Sequence, residues 1–267
     1  MEVARWDSEK TKPFLNPELA ANLTVETLDR LVALVRKSLY LYKYSSNCDI
    51  RELVKSKRQC DIDRVGHELG SPIARRAREL PALAASYGLF PALSFYLSKA
   101  AEAKRVIEAL EPQLRAVLEG HTKPVDAANK IIRLLCGGTE CINSEPCAAI
   151  CGLNKKRNLL WTGFLLGDLI GEGTGYATLS AVVLAYVDAY ARYLGLPVGE
   201  PQGGSGDGSS PGGSSGEEPG ENVLVNLLKL IQEILGEADV DIIIEKAALD
   251  YLMSFKMLAQ AVFSRGD

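Results

Sequence analysis

From Ser71 to Ala103 the chain reads SPIARRARELPALAASYGLFPALSFYLSKAAEA, apolar residues spaced by three and four and punctuated by Pro and Gly. Leu80, Leu83, Ala84 and Tyr87 fall at i, i+3, i+4 and i+7, which is one stripe of a helix. Ser71 can cap that helix and Pro72 suits its first position, where no backbone donor is lost. Pro81 is expected to bend or restart it, and Gly88 can adopt the positive φ that ends it. Pro91 then fits the first turn of a second helix whose apolar face is Ala92, Phe95 and Tyr96, with Leu93 beside it. The stretch constrains the fold to packed helices, because a period of three to four cannot be satisfied by a strand.

The same period recurs along the chain. Met1 to Asn22 is a polar lead-in, and Thr24 can cap a helix with Val25, Leu28, Leu31, Val32, Val35, Leu39 and Tyr42 on one face. Ser45 to Gly70 loses the period and reads as a loop, with a short helix around Ile50 to Lys57. A helix from about Ala100 to Glu119, broken or bent near Pro112, stops at Gly120. Pro124 starts another, with Val125, Ala128, Ile131, Ile132 and Leu135 inward. Leu159 to Ile170 is a short apolar helix, and Gly171 to Gly175 (GEGTG) is a break. Tyr176 to Leu194, ending at Gly195, is long enough to span a membrane but carries Asp188 and Arg192, so it reads as a buried helix of a soluble fold. Alternating period-two stretches are absent. The expected fold class is all-α, a helical bundle.

Val198 to Asn222 is Gly, Ser, Pro and acid, and cannot bury enough to offset the cost of ordering. The expected organisation is a bundle over 1–197, a flexible acidic linker over 198–222, and C-terminal helices over 223–267 that pack back on the bundle. Val223 to Leu235 is apolar with Gly236 as its stop, and Asp239 or Asp241 can start the terminal helix. A flexible linker of this length spans about 25–30 Å, enough to allow that return.

Net charge is −4, but the five acids of the linker account for more than all of it, and without them the remainder stands at +1. Between Arg51 and Arg78 eight basic residues face four acidic ones. A local basic segment on a near-neutral body suits either a polyanion held on one face or a solvated helix surface. Arg75, Arg76 and Arg78 lie within one turn, and Lys99 and Lys104 close the central stretch. Such side chains can hold phosphates without reading bases. Lys155, Lys156 and Arg157 form a second compact cationic cluster. The polar start, Met1 to Pro13, argues against a signal peptide and so for a cytoplasmic protein.

No arrangement of residues marks catalysis. Cys136, Cys141, Cys147 and Cys151 follow C-x4-C-x5-C-x3-C, which leaves tetrahedral zinc, disulfides and free thiols all open. Cys48 and Cys60 pair with each other or stay free. Neither His67 nor His121 has an evident catalytic partner, and no paired acids suggest a metal-dependent nuclease. GEGTG lacks the preceding strand and the Lys–Ser/Thr pair of a phosphate loop. Tyr87, Phe95 and Tyr96 stand at core spacing and read as packing rather than as stacking platforms.

Leu80, Pro81, Gly88, Leu89, Leu93, Phe95 and the Ser98–Lys99 pair form a pattern that resembles the small subunit of type III-B CRISPR effector (Cmr) complexes. Weaker echoes lie in Thr24 to Tyr44 and in Glu245 to Phe263. The stretch from about Arg105 to Gly236 is longer than that family usually carries. The resemblance implies a non-enzymatic antiviral ribonucleoprotein subunit that needs no cofactor. Its partners would be the backbone and large polymerase-like Cmr subunits, copies of itself in a stacked filament, and guide and target RNA, with no membrane. Arg75, Arg76, Arg78, Lys99 and Lys104 are the expected RNA contacts. The alternative is a helical metal- or redox-responsive regulator built on Cys136 to Cys151.

Overall fold

A computed structural model describes residues 16–45, 62–135, 173–196 and 238–263. These form seven α-helices and one short 3-10 turn, with no strand among the described residues. The fold is all-α, as the periodicity requires. The helices are α1 (Pro17–Ser45), α2 (Ile62–Tyr87), α3 (Leu89–Lys99), α4 (Lys104–Leu118), α5 (Pro124–Leu135), α6 (Gly173–Tyr193) and α7 (Ala238–Phe263); the 3-10 turn, Ala101–Ala103, joins α3 to α4.

The middle of the bundle is α6, which packs on α4, α2, α3 and α7. It is buried from Ala177 through Ala189, on all sides, which accounts for its lack of a polar face in the sequence. The apolar stripe of α7, running Ile244, Ala248, Tyr251, Leu252, Phe255, Ala259 and Phe263, lies against α1 and α2. On the far side, α5 closes over α1 and α4.

Several ends fall where local chemistry puts them. Gly120 and Gly195 each take φ 73°. After α4, Gly120 N–H donates to Val117 O and His121 N–H to Ala116 O; after α6, Gly195 N–H donates to Arg192 O and Leu196 N–H to Ala191 O. Both are the paired carbonyl-capping bonds of a Schellman turn. Pro124 opens α5. Gly88, at φ 89° and ψ 157°, separates α2 from α3 in a conformation closed to side-chain-bearing residues. The freed Leu89 N–H is taken at 2.7 Å by the Glu245 carboxylate of α7, an acid at a helix N-terminus supplied from the other end of the chain.

Other boundaries differ from the sequence expectation. Ser71 caps nothing: α2 begins at Ile62, so residues 62–70 are helical rather than loop, and the helix is unbroken through Pro72 and Pro81. Burial of Ile73, Ala74, Ala77, Leu80 and Ala84 against neighbouring helices outweighs the missing donors. Nor does Thr24 cap α1. Asn16 does, accepting from Glu18 N–H at 3.0 Å and Leu19 N–H at 3.3 Å. Thr24 is buried in the helix interior, where its hydroxyl donates to Ala20 O and accepts from Tyr251. The helix α4 is unbroken through Pro112, and the 3-10 turn takes up the residues before it.

The end of GEGTG is helix, not a break, and its glycines allow close packing. A Cβ on Gly175 would stand 2.7 Å from the Pro72 carbonyl oxygen, and one on Gly173 3.3 Å from the Ala103 Cβ. The apolar faces also need correction: Tyr87 is 70% exposed, Phe95 46% and Val125 41%. The linker, all six cysteines, Lys155 to Arg157, Leu159 to Ile170 and Val223 to Leu235 lie outside the described residues, as does the side chain of His67.

Candidate nucleic-acid interface

The five basic residues named from the sequence have different fates. Arg75 and Arg78 are exposed on α2, three residues apart and so on one face. The Arg75 side chain is 70% exposed and touches Glu79 at 3.2 Å. Arg78 has no carboxylate within ion-pair distance among the described residues. Arg76 turns inward, its side chain 17% exposed and bonded to the same Glu79. Its guanidinium carbon sits 3.9 Å from the centroid of the Tyr176 ring, a cation–π contact. Arg76 therefore belongs to the packing of α2 on α6. Lys99 is exposed at the end of α3, and Lys104 is half-buried at the start of α4.

Burial pushes the Glu79 carboxyl up, but the hydrogen bonds from Arg76 and Arg75 outweigh it and hold the group below its usual range. Glu79 thus stays ionised and offsets one of the three arginines. The phenol of Tyr96 donates to the Arg76 carbonyl at 3.1 Å, and burial raises its pKa.

Aromatic rings connect these cations. Tyr176 meets Tyr96 edge-on at 5.0 Å and Phe95 at 6.1 Å, and Phe95 meets Tyr96 at 6.1 Å. The Lys99 ammonium lies 5.9 Å from the Phe95 centroid. Arg76, Tyr176, Phe95 and Lys99 therefore make one strip across α2, α6 and α3, and Glu79 ties Arg75 to its end. No described contact joins Lys104 to it. Sequence reasoning missed Phe95 as a surface group and Tyr176 as its support. The available sign was that Phe95 and Lys99 share a face at i, i+4.

A second constellation was not legible as one. Asp188, 2% exposed in the middle of α6, accepts from Arg115 Nη1 at 2.5 Å and from Arg192 Nε at 3.2 Å. Glu111 Oε1 stands 3.7 Å from Arg115 Nη1, Glu119 Oε1 stands 3.9 Å from Arg192 Nε, and His121 Nδ1 lies 3.2 Å from Glu119. Three carboxyls thus share two guanidiniums. Burial, abetted by Asp188, pushes Glu111 up to about 7 even though Arg115 pulls the other way. The charged groups satisfy one another between α4 and α6, and removing one partner would leave another's charge buried and uncompensated. Among the described residues no group of three His, Cys, Asp or Glu is placed to hold a metal ion. No described helix is long and apolar enough to cross a membrane.

No family model, no curated protein and no solved structure matches the chain.

Proposed function

We propose that this chain is a non-catalytic RNA-facing subunit of a type III-B CRISPR ribonucleoprotein, stacking with its own copies along the guide–target duplex against the backbone and large subunits. The observation that carries the reading is the meeting of three stretches distant in sequence. The segments that resemble the family lie in α1, in α2 with α3, and in α7, and these pack on one another. On the same body Arg75 and Arg78 stand exposed, in a chain whose sequence outside the acidic stretch 198–222 is near neutral. Arg78 and Lys99 have no carboxylate partner among the described residues, which leaves their charge available to phosphate. Catalysis would then belong to the other subunits.

The test is reconstitution with the other type III-B subunits, using the Arg75→Ala/Arg78→Ala double variant. Arg76 is left in place because its removal would disturb the α2–α6 packing. The variant should assemble normally, hold RNA more weakly, and show a shallower dependence of affinity on salt, since each lost phosphate contact returns fewer counterions. A variant that drops out of the complex while RNA binding is intact identifies these arginines as protein interface. Failure of the wild-type chain to join the complex removes the reading altogether.

A further inference from the structure

Among the described residues, Phe95 is a large aromatic side chain that ring contacts hold in place yet the fold leaves half exposed. Its ring is fixed by edge contacts with Tyr96 and Tyr176, 6.1 Å away in each case. Tyr96 is fully buried and Tyr176 is clamped by Arg76, so the support beneath Phe95 is rigid. Nearly half of the residue nevertheless stays open to solvent. An exposed Phe is common enough alone, but this one has the Lys99 ammonium over its ring at 5.9 Å from the centroid, and beyond Tyr176 lie the Arg76–Glu79–Arg75 pairs. A preorganised ring with a cation at hand combines the two elements that hold single-stranded nucleic acid: a π-face for the base and positive charge for the neighbouring phosphates.

We propose that Phe95 is a stacking platform for one unpaired nucleotide of RNA, with Lys99 and Arg75 taking the adjoining phosphates. The inference rests on the RNA-facing reading above and adds what that reading lacks, a preference for single strand over duplex. Bases inside a duplex already have both faces covered and gain nothing from the ring. An unpaired base beside the duplex, or one splayed out of it, gains a partner. Because every base has a π-face, the platform is indifferent to base identity.

The experiment compares the full-length chain with Phe95→Leu and Phe95→Trp. The ligands are a short single-stranded oligouridylate and an RNA duplex of equal length, titrated at low and moderate salt, with thermal melting to confirm that both variants are folded. Phe95→Leu keeps apolar bulk and removes the ring. It should weaken single-strand binding by roughly 5- to 100-fold, leave duplex binding unchanged and leave the salt slope unchanged. Phe95→Trp should bind at least as tightly as the wild type. Tyr87→Leu, which removes an exposed ring with no described cation over it, should have no effect. Equal single-strand affinity of the wild type and Phe95→Leu overturns the platform and leaves phosphate-based RNA binding standing. Loss of binding to both RNAs in Phe95→Leu, or an equal loss in Tyr87→Leu, likewise overturns it. If the wild type binds neither RNA, the RNA reading itself falls. If Phe95→Leu binds RNA normally but fails to join the reconstituted complex, Phe95 is an anchor for a protein partner instead.

Discussion

Glu111 is the group through which pH should govern the stability of this bundle. It lies in α4 with 8% of its surface exposed, and it shares Arg115 with the better placed Asp188. Burial, helped by the negative charge of Asp188, raises its pKa from the ordinary 4.5 to about 7. Between those values the folded chain holds a proton that the unfolded chain has already released. Stability therefore falls as pH rises through this window, with the full contribution present below 4.5 and lost above 7. The size of the rise corresponds to about 3 kcal/mol. Urea denaturation from pH 4.5 to 8 measures it. Glu111→Gln keeps the shape of the protonated side chain and has no charge to bury. It should remove the Glu111 share of the slope and be more stable than the wild type at pH 8 by an amount approaching the same figure. His121→Gln, at the exposed edge of the cluster, controls for the histidine and should keep the slope. A wild type and a Glu111→Gln variant with parallel pH profiles would refute the reasoning, since the carboxyl would then be no harder to ionise folded than unfolded.

Two further predictions concern packing and buried hydroxyls. Gly175→Ala should destabilise by about 1–3 kcal/mol, because its Cβ would meet Pro72 backbone at 2.7 and 3.0 Å and only a shift of α2 against α6 can relieve that. A helix-propensity gain of up to about 1 kcal/mol works against this, so an unchanged or raised melting temperature in Gly175→Ala would show that the two helices give way easily. Tyr186 and Tyr251 stack face to face at 4.1 Å, yet Tyr251 donates to Thr24 whereas the buried Tyr186 hydroxyl has no hydrogen-bond partner among the described residues. Tyr186→Phe should be neutral or stabilising by about 1 kcal/mol and Tyr251→Phe destabilising by about 1 kcal/mol, and denaturant midpoints that moved the two variants in the same direction would contradict the assignment.

The sequence by itself determined what depends on neighbours along the chain. Helical period is a local property, so the all-α class followed from the spacing of residues such as Leu28, Leu31 and Val32, which the fold buries. The stops at Gly120 and Gly195 and the start at Pro124 depend on backbone conformation at one position and were equally legible. The length and apolar content of Tyr176 to Leu194, with Asp188 and Arg192 inside it, read as a buried helix, and α6 is buried from Ala177 through Ala189. Only the tertiary structure decided which punctuation is obeyed and which side of each helix is covered. Pro72 lies inside α2 and Gly175 inside α6 for the same reason. The two helices cross there, and packing that a local pattern cannot encode keeps one helix continuous through a proline and requires the other to have no side chain. Tyr87 and Phe95 have the spacing of core residues, but no described helix buries them. Arg75 and Arg76 are adjacent in sequence and look alike, yet a turn of about 100° separates their side chains. One points to solvent and the other onto Tyr176, a hundred residues further on. The same holds for Asp188, whose partner Arg115 stands 73 residues away. Charge and aromaticity are written in the sequence, but exposure and partnership are relations between distant segments, and those relations decide which residues can meet a ligand.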